Sequence, residues 1–294
     1  MLFRSLGADT ENLVLTGAAN ISGVGNGLNN LLRGNAGANI LLDAGGNDML
    51  EGQGGNDTLL DLLGKNYLNG FGGADSLTGG SGSDILIGGT GNDAINTGNG
   101  ADIIAFNRGD GSDTVAVSTT QDNSVSLGGG IRYADLYFQR SANNLVLKTA
   151  GAAGAEGLTF SNWYQAGANR SVLNLQVITQ ASADFNAASS DPTRNKKVEE
   201  FNFAGLVTQF DAARAANPGI THWALANALA SFHLGGYDSE ALGGDLAYQY
   251  GLNGNLAAVG TTGAQNVLAD AQLGVAREVF QTPANLQSGV LRLS

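Results

Sequence analysis

The sequence predicts a mainly β fold: a right-handed parallel β-roll followed by a β-rich cap and a helical C-terminal region. Three observations carry this. A nine-residue frame runs from Gly25 to Ala105 without a slip. Position six of each unit is Asp or Asn, position eight is Leu or Ile, and position four is Gly in every unit except the first, which has Leu28. After residue 116 the frame gives way to short apolar runs, and after Val198 to helix-forming ones. A short period pairing glycine, carboxylate and one aliphatic residue is the pattern of a calcium-loaded parallel β-helix.

In chain order, residues 1–24 read as a degenerate first coil, with a strand starting at Leu13-Val-Leu15 and an imperfect repeat in Thr16–Ser22. The roll spans 25–115. A six-residue turn and a three-residue strand reverse the chain, so two units complete a coil and each unit stacks on the second one along. Position eight (Leu32, Leu41, Leu50, Leu59, Leu68, Leu77, Leu86, Ile95, Ile104) points inward, and its strand neighbours face out. Arg108–Val115 repeats the turn once more, displaced by two residues. The β-rich cap spans 116–180, with strands at Ser124–Leu127, Leu136–Phe138, Asn144–Leu147, Gly157–Trp163 and Val172–Ile178. The polar pair Asp122-Asn123 suits the turn before the first of these. Residues 181–197 read as a loop or linker. In the helical region, 198–294, Thr221 is placed to cap a helix over His222–Phe232 that Gly235-Gly236 stops. Shorter helices are expected around 204–216, 239–250 and 262–271.

Composition narrows the partners. Of 294 residues, 45 are Gly and none is Cys, and the net charge is −12. Residues 1–120 hold 13 acidic against 4 basic side chains, so the acid excess sits on the repeats. Such a surface repels nucleic acid and anionic membranes and attracts a cation. Disulfides and thiolate metal sites are excluded. The N-terminus lacks the basic start and apolar core of a secretory signal, and no apolar run reaches transmembrane length.

Glycines in the turn supply positive φ and let carbonyl oxygens crowd together. A carboxylate at position six completes an all-oxygen cage suited to Ca²⁺, whose ligands lie at roughly 2.3–2.6 Å. Reading in steps of two units stacks Asp57, Asp75 and Asp93 on one edge, with Asp113 as a shifted fourth, and Asp84 with Asp102 on the other. Asp48 stacks on Asn66, whose turn carries Lys65, so that position is expected to bind weakly or to use the ammonium in place of a metal. Asn30 and Asn39 carry no charge, and packing is expected to hold their coils. The metal-free array is expected to be largely disordered and calcium to fold it.

Gly79-Gly-Ser-Gly-Ser-Asp-Ile-Leu-Ile87 and Gly88-Gly-Thr-Gly-Asn-Asp-Ala-Ile-Asn96 resemble the repeats-in-toxin (RTX) family, calcium-binding proteins exported by bacterial type I secretion. The resemblance implies that each ion lies between stacked turns, held by both aspartates and by carbonyls of positions one and three of one turn and two and four of its mate. Around Asp84 and Asp102 these are Gly79, Ser81, Gly98 and Gly100. The same assignment gives Gly52, Gly54 and Gly73 between Asp57 and Asp75, and Gly70, Gly72, Gly89 and Gly91 between Asp75 and Asp93. Ile131–Leu147 with Leu158–Tyr164 looks like the haemolysin-type calcium-binding related segment that often follows such repeats. Gly243–Gly251 and the tail Leu286–Ser294 resemble RTX termini, whose uncleaved secretion signal lies in the last several dozen residues.

The resemblance implies a type I ABC exporter as a partner, and a secreted, extracellular or cell-surface location with calcium ions bound. Self-assembly or a cell surface is the expected further partner. No enzymatic role is expected: His222 and His233 could share a helix face, but neither H-E-x-x-H nor G-x-S-x-G occurs. Arg108-Gly109-Asp110 lies in a repeat turn, where Gly and Asp are expected anyway. Trp163, Trp223, Tyr248 and Tyr250 read as core or cap residues. The expected role is an adhesin, matrix or surface-layer component. The alternative is an export and folding module of an exoenzyme or toxin whose catalytic domain lies outside this chain.

Overall fold

A computed structural model describes residues 2–116, 118, 122–165, 170–238 and 244–270. Turn glycines and extended triplets alternate along the array, and each triplet forms a strand. The strands are β1 (Leu2–Ser5), β2 (Asn12–Val14), β3 (Ile21–Val24), β4 (Leu31–Arg33), β5 (Ile40–Leu42), β6 (Met49–Glu51) and β7 (Thr58–Leu60). They continue as β8 (Tyr67–Asn69), β9 (Ser76–Thr78), β10 (Ile85–Ile87), β11 (Ala94–Asn96), β12 (Ile103–Phe106), β13 (Ser112–Val115) and β14 (Asn123–Leu127). Together they wind a parallel β-solenoid of about 7 turns over residues 4–127. Odd strands build one sheet and even strands the other. In the even sheet Leu32, Leu50, Leu68, Leu86 and Ile104 lie in register. In the odd sheet Leu41, Leu59, Leu77 and Ile95 do the same. All of them are buried in one core. Residues 1–24 supply β1–β3, so the degenerate coil joins the same stack.

The outer faces of the two sheets differ. On the odd sheet Thr58, Ser76 and Ala94 face solvent. On the even sheet Leu31, Met49, Tyr67, Ile85 and Ile103 face out of the roll and are nevertheless buried, beneath α2 (Gly244–Asn253) and α3 (Gly260–Leu268). The expectation that all strand neighbours face out therefore holds for direction but not for exposure. Position seven carries the difference, being bulky and apolar in alternate units.

The cap extends both sheets. β17 (Gly157–Phe160) adds in parallel to β13, and β18 (Val172–Val177) adds in parallel to β14. Antiparallel strands then continue the stack: β15 (Tyr137–Ser141) and β16 (Asn144–Lys148) on one sheet, β19 (Val198–Asn202) on the other. Covering the last parallel edge in this way removes an open template for pairing. α1 (Phe203–Ala216) starts at Asn202, whose side chain accepts from Gly205 N at 2.8 Å. It buries Phe203, Leu206, Val207 and Phe210 against Phe138, Phe160 and Trp163, in the same core as the leucine column.

Three expectations are corrected. The helix over His222–Phe232 does not form: Trp223-Ala224 is β20, paired with β15, and two 3₁₀ turns follow. Gly235-Gly236 does not stop a helix but lies within β21 (His233–Tyr237), which pairs with β19. The exposed backbone edges of β15 and β19 capture this segment, and tertiary pairing overrides helix propensity. The two histidines accordingly share no helix face. His233 Nε2 lies 2.7 Å from Glu199 Oε2, while His222 stands beside Thr221. Residues 181–197 do not separate two bodies, because Tyr133 N donates to Asp184 Oδ2 at 2.7 Å and residues 198–237 continue both sheets. The tail Leu286–Ser294 lies outside the described residues, as do Gly243 and the other residues of 239–243.

Candidate metal centre

Each edge of the roll carries a ladder made by position six. On one edge the backbone N–H of Asn39, Asp57, Asp75 and Asp93 donates to Oδ1 of Asp57, Asp75, Asp93 and Asp113, at 2.7, 2.6, 2.7 and 2.9 Å. On the other edge Asn30, Asp48, Asn66, Asp84 and Asp102 donate to Asp48, Asn66, Asp84, Asp102 and Asn123. One side-chain oxygen is thus consumed by the backbone of the preceding coil. The second oxygen separates Asp from Asn. Oδ2 of Asp48, Asp57, Asp75, Asp84 and Asp93 is buried with no hydrogen-bond partner. The Asn residues carry a donor there instead: Asn39 Nδ2 reaches Ile21 O at 2.8 Å, and Asn123 Nδ2 reaches Thr97 Oγ1 at 2.9 Å.

The orphaned oxygens face cradles that only glycine leaves open. The point a Cβ on Gly52 would occupy lies 2.4 Å from Asp57 Oδ2 and 2.9 Å from Gly70 O. For Gly70 the neighbours are Asp75 Oδ2 at 2.3 Å and Gly88 O at 2.5 Å, and for Gly79 they are Asp84 Oδ2 at 2.6 Å and Thr97 O at 2.8 Å. These gaps are close to calcium–oxygen separations, and the two nearest atoms in each are hard oxygen donors. No group of three or more His and acidic side chains suited to a metal occurs among the described residues, so a cation here must draw on main-chain carbonyls. Four copies of the RTX calcium-binding nonapeptide repeat match the chain, over residues 24–59, 61–86, 69–104 and 78–115. Residues 24–115 are RTX repeats. No curated protein matches the chain.

The RTX module is a calcium-binding module, and its electrostatics suit a cation. Burial pushes the Asp57 carboxyl up to about 7, with the charge of Asp75 adding to it. Burial likewise lifts Asp75 and Asp93 to about 6 and Asp113 to about 8. Asp84 is raised well above the usual carboxylate range by burial and by Asp102. Stacked, desolvated carboxylates resist ionising together, and a divalent ion among them reverses that resistance.

The structure places the expected carbonyl donors as follows. Gly52, Gly70 and Gly79 line the cradles at position one. At position three, Gly54 and Gly72 bridge neighbouring coils, and the Ser81 carbonyl already accepts from Gly64 N at 3.0 Å, which leaves it one lone pair. Position four is a close backbone stack: a Cβ on Gly73, Gly91 or Gly100 would lie 1.6–1.8 Å from the carbonyl of the preceding coil. Gly89 and Gly98 make the same approach at position two, at 2.1 and 2.0 Å. Lys65 Nζ donates to Asp270 O at 2.8 Å, tying its turn to the end of α3.

Several residues escaped the sequence reading. Asn123, assigned to a turn, is the last rung of its ladder. Position five of successive coils is linked by asparagine, Asn47 N donating to Asn29 Oδ1 and Ala74 N to Asn56 Oδ1, and the recurrence of Asn at that position was the available signal. The third set is Asp43 and Asp61, at position one. As for Arg108-Gly109-Asp110, Arg108 is paired with Asp135 at 2.6 Å, and Asp110 is buried and accepts from Tyr250 Oη.

Proposed function

We propose that the chain is the calcium-folded, extracellular structural part of a type I-secreted RTX protein, acting as an adhesin, matrix or surface-layer component rather than as an enzyme. The two ladders of buried carboxylates carry the reading. Bound calcium supplies the positive charge that lets them ionise inside the stacked turns. Asp57, Asp75, Asp93 and Asp113 hold it on one edge and Asp84 and Asp102 on the other, with turn carbonyls completing each cage. In calcium-poor cytosol the chain stays unwound and passes through the exporter, then winds outside, where calcium reaches the range of weak extracellular sites. One core running from the leucine column into the cap supports a load-bearing role.

Far-UV circular dichroism of the full chain, in chelator and in millimolar calcium, tests the folding step. A large gain of β signal on adding calcium is expected, and full β structure in chelator would overturn it. For the output, an open reading frame that continues upstream of Met1 into a catalytic domain would replace the structural role with that of a folding module. Removing about the last sixty residues should abolish export, and unchanged secretion would refute a signal in that region.

A further inference from the structure

Position one is glycine at most turns because a side chain there would enter the cradle. Three turns break this rule, Asp43, Asp61 and Thr97, and the two acidic ones lie on the edge where position six is Asn30, Asp48 and Asn66. The point a Cβ on Gly25 would occupy lies 1.8 Å from Asp43 Oδ2 and 2.5 Å from Asn30 Oδ1, so Asp43 sends its carboxylate back into the cradle of the preceding coil. Asp61 sits one coil on in the same backbone setting, Asp43 N donating to Leu60 O and Asp61 N to Thr78 O. The register that brings Asp43 to the cradle beside Asn30 brings Asp61 to the cradle beside Asp48.

Each side chain has one oxygen occupied. Asp43 Oδ1 accepts from Ala44 N, Asp48 Oδ1 from Asn30 N, and Asp61 Oδ1 from Leu63 N. Oδ2 of all three is buried and without a hydrogen-bond partner, in residues that are 4 %, 0 % and 0 % exposed. No Lys or Arg among the described residues pairs with them. Two facing carboxylates buried without a counter-charge require either a shared proton or a cation.

We propose that Asp48 and Asp61, flanked by Asp43, form a further calcium-class divalent-cation site, in which a position-one carboxylate supplies the charge that Asn66 withholds at position six. The ligand set differs from that of the repeat: one side-chain oxygen from position six and one from position one of the next coil, where the other cradles have a carbonyl. Asp43 does the same for the gap beside Asn30. Charge per gap is thereby kept at two carboxylates along a stretch where position six alone would leave one. The inference rests on the reading of the module as calcium-folded.

Equilibrium dialysis of the full chain against calcium tests it by counting ions. Asp61→Asn should bind one ion fewer than the parent, and Asp84→Asn should lose its own ion independently. An unchanged count in Asp61→Asn alongside a loss in Asp84→Asn would show that the acidic pair holds a proton, and would overturn the site. An unchanged count in both would instead overturn the calcium reading of the module. The double variant Asp61→Gly/Asn66→Asp restores the repeat pattern at that gap and serves where the single variant does not fold. It should bind as many ions as the parent; one ion more would mean that the parent gap was empty.

Discussion

The two edges of the roll are wound from the same nine-residue frame but differ in composition. One is uniform: Asn39, Asp57, Asp75, Asp93 and Asp113 at position six, with Gly34, Gly52, Gly70 and Gly88 at position one. The other is mixed: Asn30, Asp48, Asn66, Asp84, Asp102 and Asn123, with Gly25, Asp43, Asp61, Gly79 and Thr97 at position one. Both nevertheless keep an unbroken ladder of N–H to Oδ1 bonds. The difference teaches that the two side-chain oxygens have separate tasks. Oδ1 sets the stacking, and Asn supplies it as well as Asp does. Oδ2 sets the demand for a cation, and Asn cancels that demand by carrying its own donor.

The largest effect that could break this comparison is removal of calcium. Chelation should unwind the coils bearing Asp57, Asp75, Asp84, Asp93 and Asp102 first, while the coil bearing Asn30 and Asn39 keeps amide protection longer, as hydrogen exchange would show. Equal loss in both sets of coils would erase the distinction. Acidity acts next, with opposite signs in the two metal states. The folded metal-free array binds protons more tightly than the unfolded chain, because Asp57, Asp75, Asp93 and Asp113 are raised to about 7, 6, 6 and 8 from an ordinary value near 3.8. Their contribution to its stability is complete below about pH 4 and is lost as pH rises through about 6 to 8. In chelator, dichroism should therefore show more β structure at pH 5 than at pH 8, whereas the calcium midpoint should move to higher concentration as pH falls.

Single residues give smaller effects. Asp75→Asn keeps its rung but removes a charge, so calcium affinity should fall about tenfold or more with little change in the metal-free chain. Gly70→Ala places a methyl 2.3 Å from Asp75 Oδ2. It should cost about 1–3 kcal/mol in a calcium-loaded melt, whereas Gly45→Ala, with nothing within 4 Å of the new methyl, should cost almost nothing. The smallest change is a gain. Gln53 holds φ 78° at position two of the uniform edge, where Gly89 sits at 89°. Gln53→Gly should stabilise the loaded module by about 1 kcal/mol.

The solenoid was legible because position eight, position six and the turn glycines each repeat at a fixed step, and a periodic backbone turns a period in sequence into a column in space. Asp43 and Asp61 were not, since position one reads as a glycine slot until the cradle beside it is seen. The apolar residues at position seven, Leu31, Met49, Tyr67, Ile85 and Ile103, were visible but read as outward-facing, because nothing local says that α2 and α3 return across the chain to cover them. The false helix over His222–Phe232 has the same origin: its local propensity is strong, but the sheet edges that claim Trp223-Ala224 and His233–Tyr237 are assembled from segments about 35 to 85 residues earlier.

The covering of one outer face by α2 and α3 has a consequence for winding. Their seat exists only where Leu31, Met49, Tyr67, Ile85 and Ile103 line up coil upon coil. Winding out of phase by a single unit would bring Thr58, Ser76 and Ala94 beneath the helices instead, and Leu246, Ala247 and Leu268 would find no apolar surface there. The helix pair is therefore a gauge that fits only a correctly phased solenoid, and a latch that, once seated, opposes its unwinding.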